Sequence, residues 1–93
     1  MPFTEQKRRE KRTPAPNVGL VDLEVVNRHG VGRPVGRSLL YDQSKHGLSV
    51  IVDFSIPPGT RLSLRNRYVS YRGVVRHCQK LDLGYKVGLA LQT

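Results

Sequence analysis

After residue 18 the chain is written in short stretches of alternating apolar and polar residues. In residues 18–27, Val21, Leu23 and Val25 alternate with Asp22 and Glu24, the period of a strand with one buried face. Residues 28–36 (RHGVGRPVG) read as a turn region. SLLY (38–41) then predicts a second strand and LSVIV (48–52) a third, joined by the polar loop DQSKHG (42–47). IPPG (56–59) is a turn signal. Leu62 and Leu64 alternate with polar neighbours over 61–65, RNR (65–67) reads as a hairpin connection, and YVSYRGVVRHC (68–78) as a long strand. QKLDLG (79–84) closes another hairpin, and YKVGLALQ (85–92) is a last strand. Six strands, short turns and no helical period predict an all-β fold. A small six-stranded antiparallel barrel follows, because closure removes the exposed edges of a lone sheet.

Residues 1–17 do not share this pattern. They hold the charge cluster KRREKR followed by TPAPN, whose prolines disfavour a helix. Two parts are therefore expected: a flexible basic N-terminal tail over 1–17 and a barrel domain over 18–93. Sixteen Lys and Arg against seven Asp and Glu give a net charge of +9. Residues 1–12 hold five cations and two anions, so removing them leaves +6. Such a field attracts polyanions: nucleic acid, nucleotides or an acidic membrane surface.

Several classes are disfavoured. Cys78 is the single cysteine, so no intramolecular disulfide is available, and its place in a strand suits a small apolar filler. His29, His46 and His77 have no spacing that predicts a metal site. No Ser-His-Asp or Cys-His arrangement points to catalysis, so no enzyme, catalytic residue or metal is expected. No apolar run approaches the ~18 residues of a membrane span, and the N-terminus has no apolar segment behind its charges. The expectation is a cytoplasmic protein.

The loop carries more chemistry. Asp42, Ser44 and Gly47 form D-x-S-x-x-G. A spacing of two puts Asp42 and Ser44 on one side of an extended segment, where a carboxylate accepts two bonds from a guanine edge and a hydroxyl adds another. Gly47 allows a left-handed turn or a close backbone approach. The same loop also suits a plain Asx or ST turn closing a hairpin. In the tail, Arg8 and Arg12 form R-x-x-x-R, and arginine forks match phosphate oxygens and the O6/N7 edge of guanine. That spacing recurs at Arg33/Arg37, Arg61/Arg65 and Arg72/Arg76, so it is informative only by position.

An R-x-x-x-R before the first strand, with D-x-S-x-x-G between the second and third, resembles the PilZ domain family. The resemblance runs from Arg8 to about Leu91 and includes LSV, IPPGTRLSL, GVVRHC and YKVGLAL. It implies a bacterial receptor or adaptor for the second messenger cyclic di-GMP, with no other cofactor. Arg8 and Arg12 would contact phosphates and guanine Hoogsteen edges, Arg9 would add a contact, and Asp42 and Ser44 would hold a guanine. Gly47 would shape the loop. The tail would order on the ligand and present a surface to a protein partner. Lys7, just before the arginine segment, points to an intercalated pair of ligands. His46 is a variable loop position. A rival reading from charge alone is a barrel for single-stranded nucleic acid, using Tyr68 and Tyr71 beside Arg67 and Arg72.

Overall fold

The computed structural model describes the backbone of residues 13–14 and residues 19–92. Among the described residues seven strands follow in order: β1 (Thr13–Pro14), β2 (Leu20–Val26), β3 (Gly32–Gln43), β4 (Gly47–Val52), β5 (Arg61–Arg65), β6 (Ser70–Lys80) and β7 (Tyr85–Leu91). Every pairing is antiparallel. The sheet runs β3-β2-β5-β6-β7-β4 and closes through β3–β4 into a six-stranded barrel. The described residues contain no helix, and so none long and apolar enough to cross a membrane.

The alternation seen in the sequence is the alternation of the wall. Val21, Leu23, Leu40, Leu48, Val50, Val52, Leu62, Leu64, Val75, Val87 and Leu89 fill the interior, and Ile56 from the β4–β5 connection joins them. Each removes its apolar surface from water, at about 1.5–3 kcal/mol per fully buried side chain. Cys78 packs at the margin of this cluster as a half-buried filler, with Sγ 3.9 Å from Ser55 Oγ.

Two strands are long because each serves two partners. β3 pairs with β2 through most of its length and with β4 from Leu39 onward. β6 pairs with β5 over its first residues and with β7 from Gly73 to its end. Closing a narrow barrel demands strong bending, and bulges supply it. The register slips between Leu40 and Asp42, leaving Tyr41 as the extra residue, and between Val75 and His77, leaving Arg76 as the extra one. A third slip, opposite Leu23 and Glu24, skips Val35.

The structure corrects the sequence reading in three places. Residues 32–37, read as part of a turn, are strand: the turn is limited to Asn27–Gly30, where Asn27 Oδ1 accepts the N–H groups of His29 and Val31 at 2.8 and 3.0 Å. Pro34 fits there because β4 pairs only with β3 residues from Leu39 onward, so the missing N–H falls on a strand with one partnered edge. Asp42 and Gln43 belong to β3, and Gly47 opens β4, which shortens the loop to residues 44–46. Finally, Thr13–Pro14, inside the segment read as tail, form a strand against β3.

Candidate functional site

The two bulges at Tyr41 and Arg76 build one surface. At each, a core residue (Leu40, Val75) is followed by two residues that face outward rather than one. Asp42 and His77 thereby reach the outer face, and a single cross-strand row joins them: Asp42 opposite Ser49, Ser49 opposite Gly88, Gly88 opposite His77. This row is the floor of a groove of about 340 Å³, with Arg76 and Lys86 on its walls.

Gly88 determines the depth of that floor. A Cβ there would collide with Cε1, Nε2 and Nδ1 of His77. The imidazole therefore lies across the backbone at 88, in the space a larger residue would fill. Ser49, although on the outer face, is only 4% exposed. Lys86 places its ammonium 4.6 Å from the centroid of the Tyr41 ring, a cation–π contact at the groove's edge. The groove thus offers one carboxylate, one hydroxyl, one imidazole and two cations. That set can hydrogen-bond a purine edge and neutralise phosphate charge.

The residues singled out from the sequence are brought together in part. Asp42 lines the groove. Ser44 lies half-buried in the adjoining turn, its N–H donating to the Gly47 carbonyl at 2.9 Å. It is therefore off the β3 strand that carries Asp42 and does not line the groove. Gly47 pairs with Ala90 and has no left-handed backbone, so of the two uses read for it the left-handed turn is not realised. His46 is exposed, and its carbonyl accepts the Leu91 N–H at 2.9 Å, tying the loop to the end of β7. Arg8, Arg9 and Arg12 lie outside the described residues, as does Lys7. The chain that follows them does not: Thr13 pairs with Gln43 and Pro14 with Asp42.

Ser49, Arg76, His77, Lys86 and Gly88 were not found by sequence reasoning. Strict alternation would have turned His77 inward with Val75, and only the bulge reverses it. Of the two tyrosines considered for base stacking, Tyr68 is exposed. Tyr71 is not a surface platform: it packs against the core, and its phenol donates to Gln43 Oε1 at 3.2 Å. Among the described residues no group of three or more His, Cys, Asp or Glu is placed to hold a metal ion.

No protein-family model matches the sequence, and no curated protein matches it either. Solved structures do. The PilZ domain of YcgR from Escherichia coli, determined with c-di-GMP, superposes with a TM-score of 0.63 at 14% identity, covering 95% of this chain and 79% of that one. The larger YcgR structure with c-di-GMP gives 0.63 and 14%, with 94% of this chain and 38% of that one covered. The Bacillus subtilis inhibitor of motility MotI/DgrA gives 0.61 at 23% identity, with 100% of this chain and 48% of that one covered. The chain therefore spans less than half of these two longer proteins. These likenesses concern the fold: the closed six-stranded barrel is of the PilZ type.

Proposed function

We propose that this chain is a bacterial, cytoplasmic receptor for cyclic di-GMP, in which Asp42 and Ser44 read a guanine and Arg8, Arg9 and Arg12 clamp the ligand. The observation that carries this reading is the pairing of Thr13 with Gln43 and Pro14 with Asp42. Arg12 directly precedes Thr13 in the sequence, one peptide unit from a residue that pairs with Gln43. Arg8 follows within about 14 Å even along fully extended chain. Arg12 and Asp42 are 30 positions apart in sequence, and the pairing of the two residues after Arg12 with Gln43 and Asp42 supports a reach of the arginine segment to the groove. Two solved structures of the same fold are complexes with c-di-GMP, which supports the same ligand here.

The mechanism follows from charge. KRREKR carries five cations, one anion and no apolar side chain, so its composition offers no apolar anchor to the barrel without a ligand. A dianionic ligand on the groove gives its guanidiniums charge-assisted bonds, drawing the segment onto the barrel. The ordered segment is then a new surface for a protein partner. Lys7, cationic and long, favours an intercalated pair of ligands, which calorimetry would read as two per chain.

The test compares cyclic di-GMP and cyclic di-AMP binding to the wild type, Arg12→Ala and Asp42→Ala. Selective binding of cyclic di-GMP, lost in both variants, is expected. Equal affinity for the two dinucleotides, or an Asp42→Ala variant that binds like wild type, would overturn the reading.

A further inference from the structure

A second basic surface lies on the wall formed by β5 and β6. Leu62 and Leu64 point into the core, so Arg61, Ser63 and Arg65 face outward. Ser63 stands opposite Arg72 on β6, which places Arg72 diagonally between Arg61 and Arg65. Diagonal neighbours of an antiparallel pair lie about 7–8 Å apart, so three guanidiniums surround one small hydroxyl residue. Glu24, opposite Ser63 on β2, reaches Arg65 at 3.4 Å. Among the described residues, Arg61, Arg67 and Arg72 have no carboxylate partner.

The surface continues onto the β5–β6 turn, which is unusually well pinned. Asn66 Oδ1 accepts the N–H groups of Tyr68 and Val69 at 2.7 and 2.9 Å, and Asn66 Nδ2 donates to the Leu20 carbonyl at 3.0 Å. Tyr68 is held out from this turn with 69% of its surface exposed. The Arg67 guanidinium sits 5.9 Å from its ring centroid. Tyr68 takes no part in the core, so its ring is a large π face held in water by a fixed backbone.

We propose that Arg61, Arg65, Arg67, Arg72 and Tyr68 form a binding surface for single-stranded nucleic acid, distinct from the groove. The guanidiniums contact phosphates, and Tyr68 stacks on a base, an interaction open to every base because each has a π face. An acidic protein face would also satisfy the arginines; the exposed ring favours single-stranded nucleic acid, every unit of which brings a π face beside a phosphate. The surface is independent of the cyclic di-GMP reading, since no groove residue contributes to it.

The probe is fluorescein-labelled (dT)15, titrated into the full chain and followed by anisotropy. Tyr68→Ala changes no charge and is expected to weaken binding about tenfold, the usual loss of one stacked base. Arg72→Ala is expected to weaken binding at least threefold more than Lys80→Ala, which removes the same charge from the far end of β6. Asp42→Ala should bind (dT)15 like wild type. Poly-L-glutamate of matching charge should bind at least tenfold more weakly. The proposal is overturned if Tyr68→Ala binds like wild type, or if Arg72→Ala and Lys80→Ala are equivalent, which would mean diffuse charge attraction. Loss of (dT)15 binding in Asp42→Ala would merge the two sites, and tight binding of polyglutamate would reassign the surface to an acidic protein.

Discussion

Gly88 and His77 are cross-strand partners on the barrel's outer face, and the imidazole of one occupies the volume that a side chain on the other would need. This contact fixes the depth of the groove beside Asp42. In Gly88→Ala the new methyl meets the mobile end of an exposed side chain, so His77 swings outward. Stability should fall by less than about 1 kcal/mol, below the usual range for overpacking. Cyclic di-GMP affinity should fall about tenfold, equivalent to about 1.4 kcal/mol of lost contact. In a His77→Ala background the same glycine substitution should cost nothing further, because no ring remains to displace. Calorimetry on the four proteins of this cycle checks it; additive losses would disprove the coupling.

Ser38 is 2% exposed, and its hydroxyl has no hydrogen-bond partner. It stands opposite Val21 in the core-facing register of β3. A buried polar atom without a partner keeps its desolvation penalty uncompensated. Ser38→Ala should therefore raise stability by about 1 kcal/mol, which for a domain of this size is a rise of roughly 4–8 °C in Tm. Thermal denaturation measures it directly, and a lower Tm would show that the hydroxyl is satisfied in solution.

The barrel itself was legible because its wall obeys period two: Val21 and Leu23, Leu48 to Val52, Leu62 and Leu64 each announce a buried face. Asp42 was legible as a candidate because its residue type and its neighbours Ser44 and Gly47 form a motif. Its orientation was not. Counting from Ser38 and Leu40, strict alternation points Asp42 into the core, and the extra residue Tyr41 turns it outward. Arg76 does the same for His77. A bulge adds a residue without changing composition, so nothing in the local sequence marks it. Residues 32–37 were misread for a different reason. Their glycines and proline have low strand preference, yet pairing with β2 overrides it. β1 was hidden because two residues, one of them proline, carry no periodic signal.

Asn66 makes the β5–β6 turn a structural element rather than a passive link. Its side chain accepts two backbone N–H groups of the turn and donates to Leu20 on β2. Asn66→Ala removes these bonds, each worth about 0.5–1.5 kcal/mol net, and should lower stability by about 2 kcal/mol. Urea denaturation with an unchanged m-value would identify a loss of stability without loss of two-state folding. The same variant should also loosen (dT)15 binding, because Tyr68 is presented by the backbone that Asn66 holds.

Lys86 stands on the groove's wall with its ammonium over Tyr41. An exposed cation–π contact contributes about 0.5–1 kcal/mol, so Lys86→Ala should cost the fold little. Under the proposed cyclic di-GMP reading, its effect on binding is electrostatic and of longer reach. Removing one cation beside a dianionic ligand should lower cyclic di-GMP affinity several-fold at low ionic strength. The loss should shrink as salt rises, because screening weakens the attraction that Lys86 supplies to wild type. Affinities of wild type and Lys86→Ala should therefore converge between 50 mM and 500 mM salt. Lys86→Met, which keeps an apolar side chain of similar length against Tyr41, should reproduce the loss of affinity while retaining stability. That separates charge from packing. Parallel salt curves for wild type and Lys86→Ala would mean that the ammonium does not face the ligand.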